Sequence, residues 1–110
     1  MYKRLCAIPW ALCPPSKIMV GLVDNPTFSS ITETTNIQLK SGDLIVTYTD
    51  GITEAMNGKN EEWGLLELIE SIKKHREDDV SDLLKNIESD VLSFVGNVPQ
   101  YDDMTMLAIK

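Results

Sequence analysis

Histidine and cysteine are scarce in this sequence of 110 residues. His75 is the one histidine, and the two cysteines, Cys6 and Cys13, do not form a Cys-x-x-Cys pair. A zinc site that uses thiolate and imidazole ligands would therefore lack donors. A disulfide between the two cysteines stays open, but reduced thiols in a cytoplasmic protein are the interpretation that we favour.

Apolar runs long enough to cross a membrane are also lacking. Lys3 and Arg4 precede an apolar stretch, residues 5–13, that faintly resembles a secretion signal. The stretch is too short to span a bilayer, Pro9 interrupts it, and no small-residue cleavage site follows. We therefore expect a cytoplasmic protein without a membrane partner, and we interpret the stretch as the stub of a longer domain.

Basic side chains are few, at ten against seventeen acidic ones, so the net charge is −7. Fifteen of the seventeen acidic residues lie in residues 41–110. Such a chain repels phosphate backbones, so we expect no nucleic-acid partner, whereas clustered carboxylates suit a divalent cation. Hydrophobic residues at 43% and charged residues at 25% are typical of a folded globular chain, and the length suits one small domain.

Two apolar segments have the composition of strands. Residues 44–49 are apolar, β-branched and aromatic, which predicts a buried strand. Residues 104–109 are predicted to form a last strand that is apolar on both faces. Turns are indicated at residues 41–43, just before the first strand, and at Asn57-Gly58, in the loop that follows it.

Two segments between these strands have the apolar spacing of amphipathic helices. The first is residues 65–75, and the second is residues 82–95, with Ser81 as its N-cap and Gly96 as its C-cap. We expect His75, in the last turn of the first helix, to be a surface residue and not a catalyst. The predicted core positions are Leu65, Leu66, Leu68, Ile69 and Ile72 in the first helix, and Leu84, Ile87, Val91, Phe94 and Val95 in the second.

Acidic residues stand at the ends of the two predicted strands, and the order of elements indicates an α+β fold with two helices on one face of a mostly antiparallel sheet. Asp50 directly follows the first strand, and Asp102 and Asp103 precede the last. If these strands are antiparallel neighbours, the carboxylates converge at one edge of the sheet, where they repel one another unless a cation neutralises them. Oxygen-only ligands favour Mg²⁺ or Mn²⁺, and Gly51 would let the backbone turn close to such an ion.

Each of these motifs, taken alone, is also typical of an ordinary turn or a solvated strand end, so the pattern leaves both interpretations open. A resemblance favours the metal site. Residues 40–55, from Lys40-Ser41-Gly42-Asp43 to Thr53-Glu54-Ala55, resemble the stretch around the second metal-binding Asp of SpoIIE/RsbU-type phosphatases. These enzymes belong to the metal-dependent (PPM, protein phosphatase 2C-like) family. Residues 99–105 are similar to the family's closing motif, and the resemblance extends over residues 36–110.

The resemblance implies a C-terminal part of the family's α-β-β-α sandwich, with Asp50 and Asp102 as metal ligands. Gly51 and Asp103 would support these ligands through backbone or outer contacts. The implied reaction is hydrolysis of phosphoserine or phosphothreonine in a phosphoprotein, in bacterial signalling or sigma-factor regulation. Two Mn²⁺ or Mg²⁺ ions would activate the attacking water, and no catalytic side chain beyond the ligands is implied.

The N-terminal region departs from the family pattern. Nothing in residues 1–39 matches the family's Asp-Gly motif whose Asp bridges both metals, so we expect residues 18–110 to be the C-terminal part of the domain and leave residues 1–17 unassigned. Whether the chain is an enzyme by itself therefore stays open. The alternatives are a site completed by the missing half or a partner subunit, a non-catalytic protein-binding module, and an inactive phosphatase remnant. A haloacid dehalogenase relative is set aside because it would need Asp at the position of Tyr48.

Overall fold

A computed structural model of the chain describes residue 36 and residues 38–110 in full, together with the backbone of residues 2–6 and 11–13. Most of the unassigned segment 1–17, and most of residues 1–39, where the bridging motif was not found in the sequence, therefore lie outside the described residues. Within the described part, every helix is too short or too polar to cross a bilayer.

The described strands form one antiparallel sheet. They are β1 (Tyr2–Cys6), β2 (Ala11–Cys13), β3 (Ile45–Thr49) and β4 (Met106–Ile109), and their order across the sheet is β2-β1-β3-β4. Each neighbouring pair is antiparallel. The pairing of β3 with β4 is the one on which the predicted convergence of acidic residues depends, whereas β1 and β2 were not predicted from the sequence.

Three helices lie between β3 and β4. The first, α1 (Asp50–Thr53), is a single turn that directly continues β3. The other two, α2 (Gly64–His75) and α3 (Val80–Val95), match the predicted segments closely and share one buried core with the sheet. Their apolar faces lie on the side of the sheet that carries Val46, Tyr48 and Ala108. The predicted α+β fold with two helices on one face is therefore confirmed.

Strand alternation limits the burial of β3 and β4 to one face. Val46 and Tyr48 are buried, whereas Leu107 and Ile109 are 57% and 53% exposed. The residues of β4 are apolar on both faces, as predicted, but only one of those faces is buried. The reason is geometric, because successive strand residues point to opposite faces and both long helices cover the same one.

The apolar stripes of the helices differ from the prediction at two positions. Leu66 is 77% exposed, because it lies on the opposite side of α2 from Leu68 and Ile72, which are fully buried. In α3 the fully buried leucine is Leu83, four residues before Ile87, while Leu84 is only partly buried. The i, i+4 spacing from each fully buried isoleucine identifies the correct face in both helices.

The start of α3 lies before the predicted one. Asp79, and not Ser81, is the N-cap, and its carboxylate accepts a hydrogen bond from the Asp82 amide at 2.9 Å. Asp caps a helix as well as Ser does, and a start at Val80 adds a partly buried residue to the apolar stripe. The predicted C-cap is confirmed, since Gly96 ends the helix with a positive φ of 65°.

His75 is not the surface residue that the sequence predicted, because its side chain is only 15% exposed and lies between α2 and α3. Its Nε2 is 3.2 Å from Oδ2 of Asp90, which also accepts a 2.7 Å hydrogen bond from the Ser71 hydroxyl. Burial raises the pKa of Asp90, but the hydrogen bonds from Ser71 and His75 and the positive charge of Lys74 outweigh burial, so the net pKa lies below its ordinary value of 3.8. Asp90 therefore links the two helices as a carboxylate.

We expect Asp90→Asn to lower the free energy of unfolding by about 1–2 kcal/mol at neutral pH, since it weakens hydrogen bonds to a charged group. Because folding lowers the pKa of Asp90, its contribution is present above about pH 4 and is lost as the pH falls through the folded-state pKa. The difference between the variant and the parent should therefore shrink near pH 3. Urea unfolding at both pH values measures this. The control is Glu88→Gln, which removes one negative charge from an exposed position of α3, and an equal loss in both variants would contradict the assignment.

Candidate functional site

The end of β3 and the start of β4 meet at one edge of the sheet. Tyr48 pairs with Met106, and one step further the Thr49 amide donates to the Thr105 carbonyl at 3.0 Å. Asp50 therefore leaves the sheet where Asp102 and Asp103 approach it. We call this region, residues 49–51 and 102–105, the acidic edge. The antiparallel pairing that the sequence argument required is confirmed, and the separation of the carboxyl groups of Asp50 and Asp102 stays a prediction.

Thr49 fastens the two sides of the acidic edge together. Its hydroxyl donates to the Asp103 carbonyl at 3.2 Å and accepts from the Thr105 amide at 3.0 Å. With its own amide bonded to Thr105, this one residue makes three hydrogen bonds to the segment before β4. Sequence reasoning missed Thr49, although a hydroxyl residue at the last position of a strand, directly before an Asp, was a signal that could have identified it.

Asp50 begins a helical turn where the sequence suggested only a turn at Asp-Gly. Its carbonyl accepts from the Glu54 amide at 2.8 Å and from the Thr53 hydroxyl at 3.3 Å, which closes α1. The Asp50 side chain is half-buried, and its Oδ1 is shielded from solvent. The backbone of this residue is therefore held by both β3 and α1, so its carboxylate starts from a fixed position.

Gly51 is buried because the backbone of Asp103 lies directly against it. A Cβ at position 51 would lie well inside van der Waals contact of the Asp103 carbonyl oxygen and 3.0 Å from its carbonyl carbon. The sequence argument gave Gly51 a different role, a turn close to an ion. In the structure glycine is required by the close approach of the Asp102–Asp103 backbone, and not by a positive φ.

Asp102 and Asp103 both have exposed side chains. The Asp103 amide donates to Oδ1 of Asp102 at 2.8 Å, and the Gln100 side-chain amide donates to the Asp102 carbonyl at 2.7 Å. These local bonds orient the Asp102 carboxylate, and its other oxygen receives no hydrogen bond from a described residue that would occupy it. The Asp103 backbone carbonyl accepts the hydrogen bond from the Thr49 hydroxyl, and a role of Asp103 in supporting a metal ligand stays a prediction.

The donor chemistry of the acidic edge suits a hard divalent ion. Asp50 and Asp102 offer only oxygen, as Mg²⁺ and Mn²⁺ prefer, although both ions need about six ligands. Among residue 36 and residues 38–110, no group of three His, Cys, Asp or Glu side chains is arranged to hold a metal. A metal held by Asp50 and Asp102 would therefore need further ligands, from water or from groups beyond the described residues.

A second polar cluster offers no competing chemistry. Ser71, His75 and Asp90 meet between α2 and α3, but the Ser71 hydroxyl donates to Asp90 and the His75 ring contacts that same carboxylate oxygen. A nucleophilic serine needs a base next to its hydroxyl, with the acid on the far side of the base. This cluster therefore joins two helices and does not activate a nucleophile.

We expect Gly51→Ala to lower the free energy of unfolding by about 1–3 kcal/mol, the usual cost of overpacking, because the new methyl group must displace the Asp103 backbone. Gly58→Ala is the matched control, since a Cβ there meets only the Val98 Cγ2 at an ordinary 3.9 Å. Its effect should stay within about 0.5 kcal/mol. Thermal or urea unfolding measures both, and a Gly51→Ala chain as stable as the parent would show that the two backbones are not in tight contact.

Two comparisons with known proteins find relatives of this chain. The family model of stage II sporulation protein E (SpoIIE) matches residues 10–110. Protein IcfG of Synechocystis sp. is 27% identical over 90 residues, which are 82% of this chain and 13% of that protein. The chain thus spans a small part of the length of this curated relative, and no solved structure matches it. Because the family model covers both halves of the acidic edge and the helices between them, the chain belongs to the SpoIIE family, which supports a phosphatase domain of the protein phosphatase 2C-like type.

Proposed function

We propose that this chain supplies part of the active site of a metal-dependent serine/threonine phosphatase, with Asp50 and Asp102 as ligands of Mn²⁺ or Mg²⁺. The observation that carries the proposal is the junction at the acidic edge, where Thr49 binds both Asp103 and Thr105 and Gly51 admits the Asp103 backbone. That junction holds the two proposed ligand segments next to each other at one edge of the sheet. Membership of the SpoIIE family supports the same assignment.

The role of this chain in the reaction would be to hold and orient. A bound ion would lower the pKa of an attacking water and would neutralise charge on the phosphoryl oxygens. The backbone of Asp50, fixed by β3 and α1, limits the freedom of its carboxylate, and the Asp103 amide fixes one oxygen of Asp102. Fixed carboxylates lose little conformational entropy on binding an ion, which is the advantage of placing a site on regular elements.

The proposed substrate is a phosphoprotein, and the proposed site is completed by groups outside the described residues. A two-metal centre holds its ions about 3.5–4 Å apart, which requires a ligand shared by both. Asp50 and Asp102 do not supply that ligand. A bridging carboxylate from another segment or from a partner subunit would complete the centre, in keeping with the family pattern described above.

We expect Mn²⁺ to bind the 110-residue chain weakly and to broaden first the amide NMR signals of Gly51 and Asp103, because a paramagnetic ion relaxes the nuclei nearest to it. Asp50→Asn and Asp102→Asn should each weaken binding by at least about tenfold, the loss typical even of residues that only support a ligand. The control Asp82→Asn removes the same charge from an exposed position of α3. Uniform broadening at all acidic patches, or equal weakening by the control, would rule out a site at the acidic edge.

We further expect the isolated chain to turn over less than roughly one phosphoserine peptide per second in Mn²⁺, below ordinary enzyme rates, because two carboxylates leave most ligand positions to water. p-Nitrophenyl phosphate and a phosphoserine peptide serve as substrates. Faster turnover that Asp50→Asn abolishes would contradict this expectation and would mean that the chain supplies its own third ligand. No turnover combined with no localised Mn²⁺ binding would instead favour a non-catalytic binding module.

A further inference from the structure

A groove of about 310 Å³ opens directly beside the acidic edge, with Gly51 and Asp102 in its wall. Its lining is mainly apolar and includes Ala55, Met56 and Met104. The loop before α2 forms one side of the groove through Met56 and Glu62. Asn57 holds this loop in a tight turn, because its side-chain oxygen accepts hydrogen bonds from the amides of residues 59 and 61, at 2.9 and 3.0 Å. The turn returns the chain so that Glu62 pairs with Met56. Hydrogen bonds within the loop therefore hold this side of the groove in place.

The rim of this groove is acidic. Glu54, Glu62 and Asp102 all line it with exposed side chains, and its lining contains no Lys or Arg. Tyr101 also lines it and is 82% exposed, so that an aromatic ring is available at the surface. The apolar lining suits an apolar side chain of a bound peptide. The three carboxylates and the aromatic ring suit a basic neighbour of that side chain, because both attract a cation.

We propose that the groove binds the residues next to the phosphoserine of a substrate, with an apolar side chain over Met56 and Met104 and an Arg or Lys against Glu54 and Glu62. The inference rests on the proposed function, since it makes the groove a neighbour of the proposed metal ligand Asp102. A phosphate that approaches this rim is repelled by its carboxylates. A basic residue beside the phosphoserine offsets that repulsion, so the groove selects basic, apolar substrate sequences and rejects acidic ones.

The test uses the full chain labelled with ¹³C at its methionine methyl groups and needs neither metal nor turnover. The first probe is a peptide with the core Arg-Leu-Ser-Leu-Arg, and the matched probe has the core Glu-Gly-Ser-Gly-Glu. The first peptide should shift the methyl signals of Met56 and Met104 and leave that of Met106, in β4, unchanged. The second should shift none. Absence of shifts at Met56 and Met104, or equal shifts with both peptides, overturns the proposal.

Two variants assign the recognition to the rim. Glu62→Lys should weaken binding of the Arg-Leu peptide by about threefold to fivefold, the range of an exposed ion pair, and Tyr101→Ala should weaken it by a similar factor. The control Glu67→Lys makes the same charge change at an exposed position of α2 that does not line the groove. Equal weakening by Glu67→Lys would show that only net charge attracts the peptide, and would overturn the groove as its site.

The phosphorylated peptide Arg-Leu-pSer-Leu-Arg separates this inference from the proposed function. With Mn²⁺ present it should bind more tightly than the unphosphorylated peptide. Asp50→Asn should remove that gain while the groove shifts remain, because Asp50 does not line the groove. Groove binding without any gain from Mn²⁺ would overturn the metal-dependent phosphatase assignment and leave a peptide-binding groove. A gain from Mn²⁺ without shifts at Met56 and Met104 would leave the phosphatase assignment and overturn the groove.

Discussion

The close approach of the Gly51 and Asp103 backbones is the constraint on which the rest of the acidic edge depends. Strand pairing alone would bring the end of β3 near the start of β4 without fixing the residues just beyond the ladder. Thr49 fixes them, because its hydroxyl serves Asp103 and Thr105 at once. A side chain at position 51 would displace the Asp103 backbone, and loss of the Thr49 hydroxyl would remove two of the three hydrogen bonds that Thr49 makes to the segment before β4. The proposed site is therefore a property of the junction and not of either motif alone.

The carboxylate of Asp90, which joins two helices, and the carboxylates of the proposed site have different surroundings. Asp90 lies between two helices, where Ser71 and His75 contact its carboxylate and so stabilise its charged form. The carboxylates of Asp102 and the groove rim are exposed, and their mutual repulsion is relieved by water or by a cation. Both long helices cover one face of the sheet, and the acidic edge lies at the ends of the strands. The elements that carry the core thus leave the side chains of Asp102 and Asp103 exposed.

The acidic residues of segment 41–110 fall into two groups that differ in their surroundings. Much of that charge lies on exposed helix surfaces, where it favours solubility and contributes little to recognition. The carboxylates of Glu54, Glu62 and Asp102 are different, because they surround one apolar groove beside the proposed ligands. A site that attracts cations and processes a phosphate needs both an ion and a basic substrate sequence to balance its charge. This links the proposed metal and the proposed substrate class through one electrostatic requirement.

The elements of the fold that depend on neighbouring residues could be predicted from the sequence. Apolar spacing located α2 and α3, β-branched composition located β3, and Gly96 marked a helix end, because periodicity and capping act within one or two turns of chain. The convergence of Asp50 and Asp102 at one sheet edge was expected only on the condition that their strands are neighbours. Strand composition does not state which strands pair, so that condition required the fold.

What only the tertiary structure decided concerns contacts between distant segments. The sequence predicted His75 at the surface, whereas packing of α3 places Asp90 against its side chain. The sequence predicted Leu66 in the core, whereas the elements packed against α2 bury a different face of that helix. Thr49 had no visible role, because its partners lie more than fifty residues away. The sequence by itself determined α2, α3, β3 and the acidic residues beside the strands, since local propensity depends on neighbouring residues. Only the folded chain determined which of those residues meet, because long-range contacts depend on how the elements pack together.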